Sequence, residues 1–198
     1  MHKIVMAITG ASGMPYALTL VQELISLDIE LHLVVSNAAY KVLQLESPGY
    51  EEVLGLVEHT YRQEDLGAPM ASGSFEHDGM VICPCSMASL AAVAQGLGSN
   101  LIHRAADVVL KENRRLVLVP RETPLNRVHL QNMLMARDAG AVILPPCPGF
   151  YNQPRDMQDL IRHIAARIMD SLGIKNSVSR RWQGGVGRLG AWGMESEE

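Results

Sequence analysis

Ile4-Val5-Met6-Ala7-Ile8-Thr9-Gly10-Ala11-Ser12-Gly13 is the stretch whose reading decides the fold. An unbroken apolar run of this length is the signature of a strand covered on both faces. The turn that ends it carries two glycines and two hydroxyls. Beyond it, Leu18, Val21, Leu24 and Ile25 fall at helical spacing within Tyr16 to Leu27. Strand, glycine turn and helix make one α/β unit.

The same alternation continues outward. Strands are predicted at Glu30–Val35, Gly79–Cys83, Leu116–Pro120 and Ala141–Leu144. Helices are predicted at Ala38–Leu45, Met87–Ala94, Ala105–Lys111, Val128–Ala139 and Met157–Leu172. Ser36-Asn37 is a cap for the first of these, and Gly140 and Gly173 end the last two. Between Pro48 and Ser74 only Val53–Val57 reads as helical, and the rest reads as polar loop. Five strands interleaved with helices imply a mostly parallel, doubly wound α/β sheet in a single domain. That domain is expected to span 1–185, with a Gly-rich acidic tail over 186–198 expected to be mobile.

In such a sheet the ligand lies beyond the carboxyl ends of the strands, where strand order reverses. Every unusual loop of the chain follows a strand: Gly10–Gly13, Ser36, Pro84–Ser89, Arg121-Glu122 and Pro145–Tyr151. Their convergence on one edge is the main internal argument for a site. Thr9–Gly13 and Pro84–Ser89 each open a helix, so each offers backbone N–H donors and a favourable dipole to a phosphate. The first is not a GxGxxG dinucleotide fingerprint. It also resembles short-chain dehydrogenases, but no Tyr here has the Lys four residues later that those enzymes need.

Composition narrows the function. The 198 residues carry a net charge of -4, which disfavours a general nucleic-acid binder. The 13 Arg outnumber the 4 Lys, a balance that suits a local phosphate pocket. Cys83, Cys85 and Cys147 are too few and too irregular for a disulfide framework, and no second CxxC or His pair supports a metal site. Cys85 lacks a neighbouring base and reads as a packing or lining residue. No apolar run reaches spanning length and the first ten residues lack a secretory pattern, so the expected location is the cytoplasm, away from membranes. Arg104 and Lys111 are two helical turns apart and share a face.

Taken together, ITGASGMPYA, VSNAA, ASGSF, MVICPCSMASLAAV, NLIHRAADVVLKE, LVLVPRETPL, HLQNM, GAVILPPCPGFY and RRWQGG resemble the UbiX-type flavin prenyltransferases. The resemblance runs from about Lys3 to about Gly185. It implies a flavodoxin-like Rossmann-type fold and a homododecamer that binds FMN between subunits. It implies transfer of the dimethylallyl group of dimethylallyl monophosphate to N5 and C6 of reduced FMN, without a metal. The prenylated FMN then serves UbiD-type decarboxylases. By the same resemblance Gly10, Ala11, Ser12, Ser36, Ser86, Met87, Ala88, Ser89 and Arg121 hold FMN. Arg104, Lys111, Tyr151 and Arg167 bind the prenyl phosphate, Trp182 lies near the prenyl pocket, and Ser12, Glu46 and Glu122 serve the chemistry.

Two other readings compete. Flavin-dependent cysteine decarboxylases share the fold, but they carry a PASANT-like loop and a His after the first helix, where this chain has Pro84–Ser89 and no His. A non-catalytic FMN-binding subunit would not need the set Arg104, Lys111, Arg121 and Arg167.

Overall fold

A computed structural model describes residues 2–182. The expected tail, 186–198, and the two glycines that end the RRWQGG motif lie outside the described residues. Strands β1 (Lys3–Ile8), β2 (Glu30–Val35), β3 (His59–Arg62), β4 (Gly79–Cys85), β5 (Arg115–Pro120) and β6 (Val142–Ile143) form one sheet, in the order β3-β2-β1-β4-β5-β6. Every neighbouring pair is parallel. Helices are α1 (Met14–Ser26), α2 (Asn37–Glu46), α3 (Tyr50–Leu54), α4 (Met87–Ala94), α5 (Leu101–Lys111), α6 (Arg127–Asp138) and α7 (Met157–Leu172), with one 3-10 turn at Pro69–Ala71.

The period-2 geometry of a strand sends alternate side chains to opposite faces. Ile4, Met6 and Ile8 of β1 join Leu33, Val81, Val117 and Val119 in one core layer, roofed by α1, α2 and α7. Val5 and Ala7 join Val34, Met80, Ile82 and Leu118 in the other, roofed by α4, α5 and α6. Both faces are thus dry, which is why the central strands read as unbroken apolar runs.

The five expected strands are present, in the flavodoxin order once β3 is set aside. The sixth, β3, falls where a polar loop was expected. Its HTYR sequence has no aliphatic residue, and only one of its faces is covered. Its hold on β2 is aromatic: the His32 ring stacks on His59 at 4.5 Å and on Tyr61 at 5.8 Å, with the Phe75 edge at 5.0 Å. β4 runs two residues further than expected, through Pro84 to Cys85, with a register irregularity after Ile82.

Candidate active site

Strand order reverses between β1 and β4, so the carboxyl ends of β1, β2 and β4 frame the crevice. Buried Thr9 fixes its geometry. The Thr9 hydroxyl donates to the Pro84 carbonyl at 2.8 Å and accepts from the Ser86 N–H at 2.8 Å, while the Thr9 N–H donates to Pro84 at 3.2 Å. Both loops of the crevice are thereby locked to one side chain. Thr9 had no assigned role from the sequence; its signal was a hydroxyl at the end of a strand buried on both faces.

Gly10 is required by packing. A Cβ there would sit 2.5 Å from the Ala38 Cβ, so the start of α2 closes directly on the β1–α1 loop. Ser36 caps α2 by accepting from the Ala39 N–H at 3.1 Å, and Ser86 caps α4 by accepting from the Ser89 N–H at 3.2 Å. The Ser86 hydroxyl also donates to Ser89 Oγ at 3.1 Å. Each cap contributes about 1 kcal/mol of helix stability. The first N–H groups of α4, on Met87 and Ala88, remain free of intrahelical partners. Among the described residues the N–H groups of Gly10 and Ser12 also lack partners. Two helix starts and a loop of open donors therefore converge beside Gly10 and Ala11, an arrangement that fits the polar edge and phosphate of a flavin nucleotide.

The start of α1 is different. Its N-cap, Gly13, is left-handed and has no side chain to offer. Glu46, at the end of α2, fills the place: its Oε2 accepts from the Gly13 N–H at 2.8 Å and the Met14 N–H at 3.0 Å. Those two donors, expected to face a ligand phosphate, are held by the protein's own carboxylate. Burial alone would raise the Glu46 pKa, but the Ser12 hydroxyl and the Met14 and Gly13 amides outweigh it and hold the group below its ordinary value. Arg121 reaches the same corner, its Cγ 3.9 Å from where a Cβ on Gly13 would sit and its charge felt by both Glu46 and Tyr16. Burial, then the nearby Cys83 and Cys147 thiols, raise the Tyr16 pKa, and Arg121 opposes them. Glu122 is exposed and, among the described residues, accepts only from the Thr123 N–H, at 3.0 Å. Ser12, Glu46 and Arg121 thus share a corner, with Glu122 next to it in sequence.

A second recess, of about 240 Å³, lies over α7 and is lined by Tyr151, Arg167, Asp170, Arg181 and Trp182. Two of the expected prenyl-phosphate ligands, Tyr151 and Arg167, meet Trp182 here. Tyr151 stands edge-on to Trp182 at 5.5 Å and to His163 at 5.8 Å. Asp170 and Arg181 had no assigned role from the sequence, for their pairing joins positions 11 residues apart that no local pattern marks.

Arg104 and Lys111 are not in this recess. They lie on α5, across the sheet from α7. Arg104 donates to the Ala71 carbonyl at 3.1 Å and to Asp107 at 2.9 Å, and Lys111 pairs with Glu112 beside Gly73. They share a helix face, as expected, and it is turned to the loop around Ala71–Gly73. One chain does not bring all four expected phosphate ligands together.

The Cys83 and Cys85 thiols are fully buried, and burial pushes Cys85 up to about 12 and Cys83 higher still. Neither is a nucleophile in this state. Among the described residues one group has metal-type donors, Glu30, His32 and His59, at the opposite end of the sheet. The His32 and His59 rings lie 11° from parallel, so their in-plane lone pairs do not converge, and Lys3 already holds Glu30 at 3.0 Å.

Residues 1–169 match the family model described as Flavoprotein. The flavin prenyltransferase LpdB of Lactiplantibacillus plantarum is 50% identical over 186 residues, 93% of this chain and 100% of that protein. The crystal structure of AnUbiX (PadA1) in complex with FMN and dimethylallyl pyrophosphate superposes with a TM-score of 0.89 at 43% identity, covering 92% of this chain and 98% of that one. A dodecameric FMN-dependent UbiX-like decarboxylase from Escherichia coli O157:H7 gives 0.88 at 43% identity, covering 92% and 100%. The cysteine decarboxylase SpaF, at 17% identity and a TM-score of 0.59, shares the fold alone. With half of the aligned residues identical to those of LpdB and 92% of the chain covered by AnUbiX, the chain belongs to the Flavoprotein family, among its UbiX-type flavin prenyltransferases.

Proposed function

We propose that this protein joins the dimethylallyl group of dimethylallyl monophosphate to N5 and C6 of reduced FMN, and that its product serves a UbiD-type decarboxylase. The single observation that carries the reading is the pairing of two sites: a crevice of open N–H donors at the β1/β4 reversal, and a basic, aromatic recess at Tyr151, Arg167 and Trp182. In this reading Gly10, Ala11, Ser12, Ser36, Ser86, Met87, Ala88, Ser89 and Arg121 hold FMN. When bound and reduced, FMN supplies the electron-rich ring that accepts the prenyl carbon.

The chain's own residues do the rest. Breaking the allylic C–O bond develops negative charge on the departing phosphate, and guanidinium and ammonium groups stabilise that charge. Arg167 and Tyr151 supply donors from one face, and Arg104 and Lys111 act from a neighbouring copy. The Trp182 and Tyr151 rings keep water from the allyl cation and offer it π faces. Glu122, or the released phosphate, takes the proton from C6. Ser12 and Glu46 fix the loop at the flavin edge.

The separation of α5 from α7 supports a site completed by association of copies. So does α6, which turns Val128, Leu130 and Leu134 to solvent at 59%, 53% and 61% exposure. Exposed large apolar side chains gathered on one helix suit a protein interface, and we assign them to a homo-oligomer, a dodecamer in this reading. The free cysteines agree with a reducing compartment, the cytoplasm in our reading. No described helix is long and apolar enough to cross a membrane.

The test is anaerobic incubation with reduced FMN and dimethylallyl monophosphate, followed by mass spectrometry. A flavin heavier by one C5 unit is expected. Recovery of unmodified FMN would overturn the proposal.

A further inference from the structure

Four donors converge on one carboxylate at the base of the α7 recess. Arg181 grips Asp170 with both ends of its fork, at 3.0 and 2.8 Å. Asn176 donates to the same side chain at 3.1 Å, and Arg167 at 3.2 Å. Arg181 also donates to the Asn176 carbonyl at 3.1 Å, so the chain after α7 folds back on the helix that precedes it. Trp182 follows immediately and meets Tyr151 edge to face. On the far side, Asn152 donates to the Arg180 carbonyl at 3.0 Å, which ties the Tyr151 loop to the same segment.

We propose that Asp170 is a positioning residue for the prenyl-phosphate recess: by gripping Arg181 it docks Trp182 against Tyr151, and by accepting from Arg167 it aims that guanidinium. The inference rests on the reading of the recess given above. A bidentate Arg–carboxylate pair fixes orientation as well as distance, and Arg167 and Arg181 share this one carboxylate. An arriving phosphate can take Arg167 while Arg181 keeps the segment in place.

Charge and positioning predict opposite signs. Arg167, Arg180 and Arg181 line the recess beside Asp170. Were Asp170 only a neighbouring negative charge, its removal would strengthen anion binding. As a positioning residue, its removal weakens binding and frees the tryptophan.

The experiment uses Trp182 fluorescence in a Trp192→Phe background, together with prenylation kinetics, for Asp170→Asn, Arg181→Met and the double variant. Each single variant is expected to lower Trp182 anisotropy and shift its emission to the red. Each is expected to raise KM for dimethylallyl monophosphate roughly tenfold, the size of one lost charged contact. The double variant is expected to go no further than the singles. Unchanged Trp182 emission, a lowered KM for Asp170→Asn, or additive singles would overturn the proposal. Should Asp170→Asn fail to fold, Arg181→Met, an exposed position, carries the test alone. If the parent protein fails to prenylate FMN, the proposed function falls, while the emission data still judge the latch.

Discussion

The crevice at the β1/β4 reversal and the recess over α7 are built in opposite ways. The crevice is backbone geometry locked by short side chains: Thr9, Gly10 and the capping serines hold it through contacts within the chain. The recess is made of long, half-exposed side chains on a helix and the segment after it, held by ion pairs. The first is preorganised to receive a flat, polar-edged ligand. The second pairs two guanidinium groups with one carboxylate, so that Arg167 can turn to charge created during a reaction while Arg181 stays held.

The sharpest way to break this contrast is at Thr9. Thr9→Val removes a hydroxyl that serves the buried Pro84 carbonyl and the half-buried Ser86 N–H, and leaves the latter unpaired. A loss of about 2–4 kcal/mol in urea unfolding is expected, with loss of FMN binding. Next is Gly10→Val, which drives a side chain into Ala38. It is expected to cost about 1–3 kcal/mol and to lower FMN affinity with little change at Trp182.

Glu46→Gln has a smaller effect and a pH signature. The carboxylate's pKa is lowered in the folded protein. Its stabilisation is therefore present above the ordinary value of 4.5 and is lost as pH falls below it. The wild type is expected to exceed Glu46→Gln by about 1 kcal/mol near neutrality, and the two to converge in acid; a constant gap would contradict the capping role. The smallest perturbation is a thiol count: Cys83 and Cys85 should resist thiol reagents until the chain unfolds.

The crevice was largely legible in the sequence and the recess only partly so. Buried strands declare themselves through apolar runs, and small hydroxyl residues at their ends mark the loops, so Gly10, Ser36 and Ser86 could be placed. Gly10 was expected to hold FMN, whereas it first accommodates Ala38, a contact between elements far apart in sequence. Glu46 as the cap of α1, Asp170 as the anchor of Arg181, and β3 as an aromatic edge strand had no local pattern. Each depends on a partner between 11 and 33 residues away. The distance between Arg104 and Arg167 was equally invisible, because helical spacing orders residues within one helix and says nothing of which face of the sheet that helix covers.

The claim that two separate sites share one reaction is tested most directly by Arg167→Ala against Arg121→Ala, with the FMN dissociation constant and the KM for dimethylallyl monophosphate read on both. The account predicts that Arg167→Ala raises the prenyl-phosphate KM at least tenfold and spares FMN, while Arg121→Ala weakens FMN. Equal loss of both ligands in Arg167→Ala would contradict it.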